Sequence, residues 1–182
     1  MNICVFCGSS TSIGEPYISA MTRLGKAIAS HGHDLVFGGY DTGLMGAVAH
    51  GVADAGGKVH GVVPCSVDRF SSRMVFECDE LFEVVDISAR KAKMMELADA
   101  YISAPGGFGT FDELYEALVD EKLATRANKP IALYNIEGFY DVFEEYVDKM
   151  FTGSFISESD AHRYFMGTDP GSIVEEIERR AR

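Results

Sequence analysis

Short apolar runs alternate with amphipathic stretches along most of the chain. ICVF (3–6), DLVFGG (34–39), KVHGVV (58–63), LFEVV (81–85), AYISA (100–104) and PIALYN (130–135) each predict a strand. Between them the spacing of apolar positions predicts helices at about 15–30, 43–55, 88–98, 110–124 and 139–151. Strands this continuously apolar belong to a parallel sheet covered on both faces. The alternation therefore predicts an α/β fold, a doubly wound (modified Rossmann-like) parallel sheet with helices on both faces. A last helix is announced by SIVE (172–175), a Ser followed three residues later by Glu in the manner of a capping box, and it is expected on the sheet's edge. Residues 151–170 carry no clear pattern. With no repeat, linker or low-complexity tract, residues 1–182 read as a single domain.

Composition narrows what that domain can bind. Hydrophobic residues make up 47% of the chain, enough for a full core without disulfides or metal. Sixteen Lys and Arg against 28 Asp and Glu leave a net charge of -12, which disfavours nucleic acid and anionic membrane as partners. A phosphate ligand would need locally placed cations. The N-terminus MNICVFCGSS lacks a basic leader and a cleavage site, and no 18-residue apolar run occurs, so the expectation is a cytoplasmic protein that does not engage the membrane.

Of the four cysteines at 4, 7, 65 and 78, the first two form a C-x-x-C, but positions three apart in a strand face opposite sides of a sheet. Buried reduced thiols are the favoured reading over a redox or zinc site. His31, His33, His50, His60 and His162 are scattered without ligand spacing, and no metal is expected.

In open α/β sheets the ligand crevice lies beyond the carboxyl ends of the strands. Three glycine-bearing loops fall there: CGSS (7–10), GGYDTGLMG (38–46) and PGGFGT (105–110). Gly8, Gly39, Gly43, Gly106, Gly107 and Gly109 allow backbone N–H groups to approach an anion, and Ser9 and Thr110 add hydroxyls. No loop spells the P-loop or dinucleotide fingerprint, so ATP hydrolysis and nicotinamide chemistry recede.

With Thr110 taken as a helix N-cap, Phe111, Leu114, Tyr115 and Leu118 form a stripe toward the core, with Asp112, Glu113, Glu116 and Asp120 off it. Glu113 then stands at N3, where it either completes a capping box or faces a ligand. Arg90 and Lys91, in SARKAKM (88–94), can reach the next strand end and supply positive charge. Met45 and Met94 line a base pocket or pack in the core. Together these residues describe a pocket for a ribose phosphate with one carboxylate aimed at the sugar.

The motifs CGSS, GGYDTGLMG, RKAKM and PGGFGTFDE resemble those of the LOG family, the cytokinin riboside 5'-monophosphate phosphoribohydrolases, long labelled lysine decarboxylases. The likeness runs from about residue 3 to 150 and more faintly to the end. It implies that Arg90 and Glu113 are catalytic and that Gly106, Gly107, Gly109 and Thr110 hold the phosphate of a nucleoside 5'-monophosphate. Lys91, Met94 and Glu116 are expected beside them in substrate binding. It further implies a homodimer, no metal, no organic cofactor, and release of an adenine-type base with ribose 5'-phosphate.

Two positions depart from the family pattern: Tyr40 stands where a third glycine is usual, and DIS (86–88) replaces a Met-His pair. The competing reading is a noncatalytic nucleotide or molybdenum-cofactor carrier, against which the retained Arg90 and Glu113 argue. Amino-acid decarboxylation lacks a convincing setting for pyridoxal phosphate.

Overall fold

In a computed structural model of the chain, residues 1–65, 74–123 and 129–182 are described. The apolar runs form strands β1 (Asn2–Phe6), β2 (Asp34–Phe37), β3 (Val59–Pro64), β4 (Glu80–Val84), β5 (Ala100–Ser103) and β6 (Ile131–Tyr134), joined by a seventh, β7 (Phe165–Gly167). Their order is β4-β3-β2-β1-β5-β6-β7, and every neighbouring pair is parallel. The chain thus winds outward from β1 through β4, then returns to the other side of β1 and winds outward again. That reversal places the topological switch point between β1 and β5.

Side-chain alternation along the strands divides the interior into two cores. On one face Ile3, Val5, Leu35 and Phe37 pack with α1 (Glu15–Ser30), α2 (Gly43–Asp54) and the last helix, α7 (Pro170–Arg180). On the other, Cys4, Phe6 and Val36 meet α3 (Ile87–Leu97), α4 (Phe108–Leu123) and α5 (Asp141–Thr152). Cys4 and Cys7 fall into different cores, as a strand's period of two requires, and all four cysteines are free. Burial pushes both thiols well up, which keeps them protonated.

Three local expectations change. Residues 151–170 contain a short helix, α6 (Glu158–Ala161), closed by a reciprocal capping box between Ser157 and Asp160, and the three-residue edge strand β7. The cap of α7 is Asp169 rather than Ser172: the Asp169 carboxylate accepts the Ser172 N–H and hydroxyl, and Pro170 fills the first helical position. Helix α4 begins at Phe108, ahead of Thr110, while residue 124 of the expected span lies outside the described residues. Among the described residues no helix is long and apolar enough to cross a membrane.

Helices α1 and α2 touch backbone to backbone. A Cβ on Gly25 would stand 2.3 Å from the Val48 carbonyl oxygen, and one on Gly51 would stand 2.4 Å from that of Thr22. Neither obstacle is a flexible side-chain end, so the helices would have to move apart. Gly25→Ala is expected to lower stability by about 1–3 kcal/mol despite alanine's better helix propensity. Thermal unfolding checks this, and a melting temperature equal to or above that of wild type would contradict it.

Candidate active site

At the switch point, the loops after β1 and β5 are bound to each other before either can hold a ligand. The Gly8 N–H donates to the Pro105 carbonyl (3.0 Å), and the Ala104 N–H donates to the Phe6 carbonyl (2.8 Å). The loop after β2 locks onto the first, the Leu44 N–H donating to the Gly8 carbonyl (2.9 Å). Gly43 adopts φ +55° there, and a Cβ on it would lie 2.5 Å from the Ser10 carbonyl oxygen. Three separate strand ends therefore share one surface.

A cavity of about 290 Å³ opens where they meet. Its polar lining includes Ser9, Arg90, Thr110 and Glu113, with Gly107 and Gly109 beside them. Its apolar lining includes Tyr40, Met45, Pro64 and Ile87. Beside it, and sharing Gly8, Ser9 and Gly107, lies a second cleft of about 530 Å³ with Ile13, Tyr17, Leu44 and Phe139 in its walls.

One buried ion pair lies in the cavity wall. Arg90, 8% exposed on α3, donates from Nη1 to Glu113 Oε1 at 3.0 Å, and Glu113, 4% exposed, projects from α4. The Arg90 Nε donates to the Val62 carbonyl at 3.1 Å. Gly38 makes the room: a Cβ there would sit 1.8 Å from Arg90 Nη2. Asp86 fixes the start of α3 by accepting the Ala89 N–H at 2.8 Å. Burial raises the Glu113 carboxyl above its ordinary value, opposed by the Arg90 charge and hydrogen bond. The Cys7 thiol beneath is pushed up by burial and further by Glu113.

The expected site residues separate into four groups. Arg90, Glu113, Gly8, Ser9, Met45, Gly107, Gly109 and Thr110 line the cavity, and Gly106 lines the adjoining cleft. Gly39 and Gly43 shape the loop from behind, with Gly39 at φ +77° against Val63. Met94, 1% exposed, packs in the core under α3. Lys91 turns to the outer flank, where Nζ pairs with Asp112 at 2.8 Å and with Glu116 at 2.7 Å, so Lys91 and Glu116 meet each other rather than the cavity.

Thr110 is not the N-cap. The helix already accepts the Phe111 N–H at the Gly107 carbonyl, which frees Glu113 from any capping box to pair with Arg90. The buried face of α4 is correspondingly Thr110, Glu113, Leu114 and Ala117, with Tyr115 exposed. Pro64 and Ile87 join the site unanticipated, and Cys7 and Gly38 join it from within the expected loops without having been singled out. Gly38 was visible as the first glycine after β2, but its need for space arises from an arginine on a distant helix. Among the described residues no three His, Cys, Asp or Glu side chains gather as a metal set.

The comparisons with known proteins bear on this arrangement. A family model described as "Possible lysine decarboxylase" matches residues 45–177. The chain is similar to the cytokinin riboside 5'-monophosphate phosphoribohydrolase LOG of Oryza sativa subsp. japonica, 41% identical over 88% of this chain and 65% of that protein. It is also similar to LOG5 of Arabidopsis thaliana, named for the same activity, 34% identical over 97% of this chain and 76% of that one. Its fold matches that of a molybdenum cofactor binding protein from Rippkaea orientalis with TM-score 0.75, at 20% identity over 98% of this chain and 95% of that one.

Gly38→Ala is expected to push the guanidinium off Glu113 and lower stability by about 1–3 kcal/mol. With its opposing cation displaced, the Glu113 carboxyl should titrate at still higher pH. That penalty vanishes below the ordinary carboxyl range and is complete above the raised value, so the variant's deficit should shrink as pH falls. Carboxyl NMR titration with urea unfolding at several pH values tests this, and an unmoved Glu113 titration would refute it.

Proposed function

The chain belongs to the LOG phosphoribohydrolase family, and on that premise we propose that it hydrolyses the N-glycosidic bond of adenine-type nucleoside 5'-monophosphates. The products are the free base and ribose 5'-phosphate, and the substrates are AMP or a cytokinin riboside 5'-monophosphate. The observation that carries this reading is the buried Arg90–Glu113 pair, set on a cavity of about 290 Å³ beside a glycine-rich helix start.

Cleaving a bond from C1' to a base nitrogen develops positive charge on the ribose ring. Only a group that interacts more strongly with that charge than with neutral sugar accelerates the step. Glu113, withdrawn from water, acts on that charge in a medium that screens little, or takes a proton from the attacking water. Arg90 holds the carboxylate in place and offers its remaining N–H groups to ribose or phosphate oxygens. The phosphate lies at the start of α4, where Gly107, Gly109 and Thr110 meet the positive end of the helix dipole. Acids at that helix would repel a phosphate unless matched by cations. Asp112 is engaged by Lys91 outside the cavity, while Glu113 is matched by Arg90 within it.

The same proposal treats residues 1–182 as one nucleotide-binding unit, working in the cytoplasm as a homodimer. Supporting the dimer, Tyr115, Val119 and Leu123 recur four residues apart on one exposed face of α4, with Tyr146 of α5 also exposed. Sedimentation at the mass of one chain would remove it. Free thiols support the compartment.

Chromatography of products from AMP and N6-isopentenyl AMP tests the chemistry. Wild type should release free base, and Glu113→Gln, which keeps an oxygen facing Arg90, should fold while losing about 100-fold or more in kcat. Adenosine, lacking the phosphate anchor, should be a poor substrate. Tight nucleotide capture without product in a folded wild type would favour the carrier reading.

A further inference from the structure

We infer that Tyr40 is the specificity-determining wall of the cavity, holding the purine and limiting what the base can carry. The inference deepens the phosphoribohydrolase reading and rests on it. A nucleotide whose ribose meets Glu113 enters the cavity of about 290 Å³, near the lower bound of the roughly 300–1,000 Å³ typical of ligand pockets. That cavity adjoins the larger cleft walled by Ile13, Tyr17, Leu44 and Phe139. The phosphate falls to the start of α4, and C1' falls to Glu113. The rest of this cavity's lining includes Tyr40, Met45, Pro64 and Ile87, which offer apolar surface to a flat, apolar-faced base.

Tyr40 is suited to this because it cannot easily move. It is 3% exposed, and the backbone on either side of it is stapled to the segment before β4. The Phe76 N–H donates to the Gly39 carbonyl (2.9 Å), and the Asp41 N–H donates to the Met74 carbonyl (2.8 Å), with Tyr40 and Val75 forming an antiparallel bridge. Phe76 is itself held edge-on to both Phe37 and His50, with ring centroids 6.0 and 5.0 Å apart. Gly39, at φ +77° against Val63, sets the turn that delivers Tyr40 to the cavity. A buried side chain whose backbone is held on both sides acts as a steric limit, whereas glycine at this position would leave the wall open.

The test compares kcat/KM for N6-isopentenyl AMP and for AMP in wild type, Tyr40→Phe and Tyr40→Ala. Alanine retains the backbone restriction that glycine would lose. The isopentenyl-to-AMP ratio should rise at least about tenfold in Tyr40→Ala, within the range that small changes in pocket shape produce, and stay near wild type in Tyr40→Phe. Free adenine should inhibit Tyr40→Ala more weakly than wild type. If alanine does not fold, Tyr40→Leu carries the same comparison. A ratio within about threefold of wild type in the folded variant, with adenine inhibition unchanged, overturns the inference while leaving the reaction intact. A wild type that cleaves neither nucleotide overturns both.

Discussion

A guanidinium and a carboxylate cannot be withdrawn from water unless each is held for the other, and the Arg90–Glu113 pair sets this requirement on its surroundings. Arg90 needs a carbonyl from β3, an absent side chain at Gly38 and a partner on α4. Glu113 needs α4 to begin early enough that its second turn faces the cavity. Each of these comes from a different βα unit. The pair is thus a condition on the relative positions of β2, β3, α3 and α4, and no single motif contains it.

This explains what could be read from the sequence and what could not. Six strands and the parallel class follow from apolar runs that a sheet covered on both faces demands, and Arg90 and Glu113 lie in motifs distinctive enough to be picked out. The short edge strand β7 was hidden because three half-buried residues leave little hydrophobic signal. The two helix starts were misplaced for one reason: the spacing of a capping box does not state where a box begins. Asp169 and Ser172 have the same separation as Ser172 and Glu175, and Pro170 favours the earlier start. At α4, the helix begins two residues before Thr110, which moves Glu113 from a cap to the interior.

Charge placement separates neighbours that look equivalent in the sequence. Arg90 and Lys91 are adjacent, yet one enters the cavity and the other pairs with Asp112 and Glu116 on the flank. Successive residues on a helix point about 100° apart, so a basic pair can present only one member to a given neighbour. The flanking trio draws two carboxylates to a lysine beside the glycine-rich turn, a useful arrangement in a chain with net charge -12.

The sheet order also bears on how the chain assembles during synthesis. β1 is paired on one side with β2, which follows soon after it, but on the other with β5, where Ile3 lies beside Ala100. The N-terminal half can wind β1 through β4 as the ribosome supplies it, while one edge of its central strand waits for a partner nearly a hundred residues away. Until β5 arrives, the loop after β1 has only the loop after β2 to lock against, and Glu113 has not been made. The cavity is therefore a late product of folding, and β1 is the strand most in need of protection from improper pairing in the interval.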